Sequence, residues 1–80
     1  MKDLASFLIK NISGSDDFSV SEREDDNKID IGVAADKSII GLIIGKEGKN
    51  IKNIRRIMSV LATMKNKVVN ISIEEKKGQS

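Results

Sequence analysis

The chain is organised around one corner. An apolar run, Ile39-Ile40-Gly41-Leu42-Ile43-Ile44, stops at Gly45-Lys46-Glu47-Gly48 and gives way at once to Lys49-Asn50-Ile51 and a long amphipathic stretch. Before the corner, Ile39, Ile40, Ile43 and Ile44 recur at helical spacing behind Asp36, which suits an N-cap. Glycine enters left-handed backbone without a Cβ penalty, so Gly45 reads as a sharp helix stop. A second helix is expected from about Gly48 to Lys65. The segment therefore reads as a helix, a four-residue turn and another helix. Its apolar run of six residues is far short of the roughly 20 that cross a bilayer.

The remaining elements follow from periodicity. Leu4, Phe7, Leu8 and Ile12 lie on one face of a helix expected over Asp3–Ile12, with Asp3 at the dipole's positive end and Gly14 as terminator. Phe18–Glu22 and Ile29–Val33 alternate with period two, each a strand with one buried face, and Asp25-Asp26-Asn27 forms the turn between them. A last strand is expected over Lys67–Glu74 through Val69, Ile71 and Ile73. The order is α-β-β-α-α-β. The first two strands make an antiparallel hairpin, and the two-helix link to the third is long enough for a right-handed parallel crossover. The expected fold class is α+β: a three-stranded mixed sheet with helices packed on one face. At 80 residues there is room for one domain, over 1–75, and a polar, disordered tail is expected over 76–80.

Composition excludes several chemistries. The chain has no Cys and no His, which removes thiolate zinc sites, thiol nucleophiles and the commonest general base. No carboxylate pair sits in an apolar setting, so an enzyme is not expected. Asp25 and Asp26 are adjacent turn residues with no third ligand nearby. They read as solvated, since a hard cation such as calcium takes about six to eight oxygens, and no metal or cofactor is expected. Asp3, Ser6 and Lys10 interrupt any signal-peptide core, so the protein is expected in the cytoplasm and off the membrane. The net charge of +2 hides an asymmetry. Residues 1–36 carry four basic and nine acidic side chains, a net of −5, whereas 37–80 carry ten and three, a net of +7. Such a split points to a polyanionic partner or, more plainly, to a charged solvated surface.

Spacing rules out the common phosphate motifs. A Walker A loop needs four residues between its first glycine and the Gly-Lys pair, then Ser or Thr. Here three intervene from Gly41 to Gly45-Lys46, and Glu47 follows. No two glycines lie two apart, as a dinucleotide fingerprint requires. What remains is a bare turn. Gly45 and Gly48 lack Cβ atoms, so a ligand backbone could approach the main chain. Gly48 opens a helix whose free N–H groups favour phosphate, with Lys46 and Lys49 beside it. Ile43, Ile44 and Ile51 flank the turn as an aliphatic groove.

This arrangement resembles the KH domain, whose GXXG loop clamps about four nucleotides of single-stranded backbone. Ile43-Ile44-Gly45-Lys46-Glu47-Gly48, with Ile51 three further on, fits that family's I-I-G-x-x-G-x-x-I pattern, and the resemblance covers nearly the whole chain. The extra helix and strand at the N-terminus resemble the type II arrangement. Within it the chain is most similar to the small stand-alone bacterial KH proteins of the KhpA (YlqC-like) family, which keep a glycine where Gly41 stands. The resemblance implies binding of single-stranded RNA with broad sequence tolerance, DNA being an open alternative, and no small-molecule substrate. It also implies RNA regulation affecting cell envelope and division, and pairing as a homodimer or with a larger KH-containing protein. Bases would sit in the aliphatic groove without stacking. That suits a chain with no Trp or Tyr, whereas an RRM-type reader needs aromatics on its strands. Two positions depart from the pattern. Leu42 stands where a basic residue is frequent, and Glu47 puts a negative charge in the loop, expected to weaken phosphate affinity unless it faces Lys46 or solvent.

The helix after the corner sorts into arcs at about 100° per residue. Lys49, Lys52, Arg55 and Arg56 share one, which reads either as a track for a nucleic-acid backbone or as a solvated face. Ile51, Ile54, Met58 and Leu61 form a stripe expected to face the core. Ile57, Val60 and Met64 widen the apolar arc. They read as further core or, by preference in so small a protein, as a dimer interface, while Met58 and Met64 are each read first as core fillers.

Overall fold

A computed structural model describes residues 1–76 as α1 (Lys2–Ser13), β1 (Phe18–Glu24), β2 (Lys28–Ala35), α2 (Lys37–Ile44), a 3₁₀ turn (Lys46–Gly48), α3 (Lys49–Met64) and β3 (Val68–Glu75). The expected tail lies outside the described residues from 77 onward; Lys76 N–H still donates to Ala35 O at 2.8 Å. Gly14 ends α1 in left-handed backbone, φ 70°, and returns its N–H to Lys10 O. Asp36 occupies the N-cap position of α2, but its side chain makes no capping bond.

β2 is the central strand. It pairs antiparallel with β1, from Phe18↔Ala35 to Glu24↔Ile29, and parallel with β3, from Lys28↔Val68 to Ala35↔Glu75. This is the mixed sheet the hairpin and crossover require. Both hairpin strands run further than their alternation suggested: β1 continues through the polar Arg23 and Glu24, and β2 takes in Lys28 before the alternating stretch and the buried Ala35 after it. The period of two decides which face is covered. Ile29, Ile31, Val33 and Ala35 are fully buried beneath the helices, while Ser21, Gly32 and Ser72 form a cross-strand row on the other face.

The core takes Ala5 and Ile9 from α1, Ile39 and Ile43 from α2, Ile54, Met58 and Ala62 from α3, and Ile71 from β3. Each fully buried Ile or Met contributes about 1.5–3 kcal/mol by leaving water. Among the described residues no polar side chain is buried, so no core position carries a desolvation cost. The buried line of α3 runs Ile54-Met58-Ala62 in steps of four. Leu61, expected on that stripe, instead lies one residue to its side and is exposed; Met64 is exposed too and fills no core.

The hairpin tip is fastened to the end of the crossover. Asp25 Oδ1 accepts N–H bonds from Asn27 at 3.0 Å and Lys28 at 2.9 Å, which hold its carboxyl below the ordinary 3.8. Val68 N–H donates to Asn27 O, and Lys67 pairs with Glu24 beside it. Asn66 takes left-handed backbone at φ 60°, so that Lys67 N–H returns to Ala62 O. This is a Schellman closure of α3, with Asn in glycine's usual place. Among the described residues no helix is long and apolar enough to cross a membrane.

Candidate nucleic-acid interface

The corner between α2 and α3 is made by three left-handed residues in four. Gly45 has φ 76° and ψ 175°, a region essentially closed to other residues. Glu47 has φ 57° and ψ 25°, and Gly48 φ 75° and ψ 17°. The two helices stay separate. Gly45 N–H closes α2 onto Gly41 O at 2.9 Å, Gly48 N–H reaches Gly45 O at 3.1 Å, and Lys49 N–H bonds Lys46 O. Among the described residues the N–H groups of Lys46 and Glu47 have no hydrogen-bond partner. They immediately precede α3, whose first turn has no capping side chain and carries the positive end of the helix dipole.

The side chains expected at the site divide into three groups. Lys46, Glu47, Lys49, Lys52, Arg55 and Arg56 are exposed, and among the described residues none of the five cations is in an ion pair. Ile44 is exposed, while Gly45, Gly48 and Ile51 are half-buried, so these four offer surface beside the loop. Ile43 does not. It is 0 % exposed and belongs to the core, so it supports the corner from beneath and has no atom for a ligand to touch. The i, i+4 step from Ile39 puts both on the inward face of α2.

The two glycines also differ in what their missing Cβ leaves open. At Gly48 a Cβ would meet only Ile51 Cγ2, at 3.9 Å, so that side is accessible. At Gly45 it would fall 2.6 Å from Cγ and Nδ2 of Asn50. The space is filled from within the protein, and the expectation that Gly45 lies bare to a ligand on that side is corrected. Asn50 was not singled out by the sequence. A polar amide two residues past the second glycine was the only signal.

Around α3 the sequence of surfaces is basic, apolar and buried. Lys49, Lys52, Arg55 and Arg56 span about 120°. Next to them Ile57, Val60, Leu61 and Met64 form a second exposed arc, 42, 58, 37 and 76 % exposed.

A βααβ crossover with a GXXG corner between its helices, preceded by a further helix and strand, is a KH fold of type II order. Residues 2–73 match the family model described as KhpA/KhpB, KH domain, and the chain belongs to that family. Relatives named RNA-binding protein KhpA are similar along their whole length. That of Chlamydia caviae is 35% identical, that of Chlamydia pneumoniae 33% and that of Chlamydia trachomatis 32%, each over 96% of this chain and 100% of the relative.

Proposed function

We propose that this protein binds single-stranded RNA through its glycine corner, with low sequence specificity and a part in RNA regulation in the cytoplasm, without catalysis. The observation that carries the reading is the pair of unpartnered N–H groups at Lys46 and Glu47, set beside unpaired cations and the exposed edges of Ile44 and Ile51. Main-chain N–H groups hold phosphate whatever base follows, and an aliphatic strip accepts a base without a hydrogen-bond code. The printed name of the relatives agrees with this reading.

The test is the double variant Lys46→Asp, Glu47→Asp. Asp tolerates left-handed backbone, so the fold should persist while two carboxylates face the phosphates. A labelled uridine decamer, followed by fluorescence anisotropy, should bind the parent with an affinity falling by about 0.7 log units per phosphate contact for each tenfold rise in salt. The variant should bind far more weakly at low salt. Equal binding at matched salt would refute the loop assignment, and a DNA decamer run alongside decides between the two nucleic acids.

A second reading concerns assembly. Ile57, Val60, Leu61 and Met64 stand at i, i+3, i+4 and i+7 on an uncovered face. We propose this face as the surface for a second copy of the chain or for a larger KH-containing protein. Sedimentation of the free protein decides whether the first of these forms unaided. Such pairing is compatible with RNA binding, because the basic arc lies beside the apolar one and stays uncovered.

A further inference from the structure

We infer that Asn50 is a positioning residue for the corner: from the first turn of α3 it clamps the open end of α2 and so fixes the direction of the free Lys46 and Glu47 N–H groups. The inference rests on the RNA reading for what the corner holds, while the clamp itself belongs to the free protein.

The last carbonyls of a helix have no partner within it. In α2, Gly41 O takes the N–H of Gly45, and Leu42 O takes Nδ2 of Asn50 at 2.9 Å, eight residues along the chain. The same Asn50 side chain occupies the space that a Cβ on Gly45 would need, with its Cγ and Nδ2 2.6 Å and its Cβ 2.9 Å from that position. One residue of α3 therefore makes two contacts at the α2 end of the turn. It satisfies a carbonyl on the incoming helix and packs against the residue where the chain departs from helical backbone. Gly45 and Asn50 form a matched pair: the glycine supplies the backbone angles and the vacant space, and the amide fills that space and donates. The residue type is selected by these demands. An Asp would aim a carboxylate at a carbonyl, a Leu would fill the space without donating, and a Gln is one methylene too long for the gap. Apart from this bond, Gly48 N–H to Gly45 O and Lys49 N–H to Lys46 O are the hydrogen bonds that restrain the turn among the described residues.

The variant that isolates the clamp is Asn50→Leu, equal in shape and without the donor, with Asn50→Ala removing the packing as well. Amide hydrogen exchange on the free protein should speed up about two- to tenfold at Gly48, the range set by loss of one hydrogen bond. The core amides of Ile31 and Met58 report any general loss of stability, and they should change less than Gly48. The uridine decamer should bind Asn50→Leu about three- to tenfold more weakly, with the salt slope unchanged because the phosphate contacts keep their number. The inference is overturned if Gly48 exchange and decamer affinity both stay within about twofold of the parent. It is overturned equally by faster exchange with undiminished affinity, since the clamp would then order the corner without serving binding. If the parent itself fails to bind the decamer at low salt, the RNA reading falls, and the exchange comparison still decides whether Asn50 orders the turn.

Discussion

Replacing Glu47 by glycine should raise stability and RNA affinity together, for separate reasons. Glu47 is held at φ 57° and ψ 25°, where an L-residue with a Cβ is disfavoured by about 1–2 kcal/mol. Glycine removes that cost but returns about 0.4–1 kcal/mol through the larger entropy of its unfolded chain. The net gain is about 0.5–1 kcal/mol, which for a domain of this size raises Tm by about 3–6 °C. Glu47→Ala is the control: it deletes the same carboxylate but keeps the Cβ, so it should show no such rise. Binding changes through charge instead. A carboxylate ~7 Å from a phosphate in water repels it by about 0.6 kcal/mol, a factor of roughly three at low ionic strength. At about 0.15 M salt screening shrinks this to a factor of about 1.5. Both variants should therefore bind the decamer about two- to threefold more tightly at low salt, and the advantage should fade as salt is added. Thermal unfolding by circular dichroism and anisotropy titration measure the two effects. A Glu47→Gly protein no more stable than Glu47→Ala would refute the left-handed corner. An affinity gain that persists at high salt would refute the electrostatic account.

Three further outcomes follow from burial, pairing and exposure. Ile43→Val should lower stability by about 0.5–1.5 kcal/mol and leave decamer affinity unchanged, while Ile44→Ala should weaken binding with little change in Tm; the reverse pattern would exchange their roles. Lys67's hydrogen bond and charge hold the Glu24 carboxyl below its ordinary 4.5, so the folded state ionises it more readily than the unfolded chain does. That contribution is complete above the ordinary value and is lost as pH falls through the lower folded one. Glu24→Gln should therefore melt below the parent near pH 7 and converge with it as pH falls below the ordinary 4.5 and through the lower folded value, and parallel melting curves from pH 7 into acid would remove the ion pair from the account. Val60→Asp places a charge on the exposed arc without touching the core. It should leave Tm of the monomer nearly unchanged and abolish any dimer seen by sedimentation, and a surviving dimer would move the interface elsewhere.

Much of this fold was legible because its local signals agree. The run of Ile29, Ile31 and Val33 marks a covered strand, Gly14 and Gly45 mark helix ends, and Asp25 marks a turn that uses its carboxylate. The corner was legible for the same reason, since Gly45 ends one helix and Gly48 opens the next. What the sequence hid were effects of packing angle and of contacts across the chain. A step of 100° cannot say whether the buried line of α3 passes through Leu61 or Ala62; the small alanine lies inward against the sheet and helices. Ile43 and Ile44 are chemically identical and adjacent, and only the orientation of α2 sends one to the core and the other to the surface. Asn50 is not legible because what it meets, Leu42 O and the space left by the missing Cβ of Gly45, carries no side-chain signature.

The parallel pairing of Lys28 with Val68 has a consequence for the order in which the fold becomes rigid. Before β3 docks, the central strand has one flank unpaired, and α2 and α3 have no fixed return point against it. The corner between them therefore becomes rigid only with that long-range pairing. Any opening of the β2–β3 ladder loosens the corner from a distance.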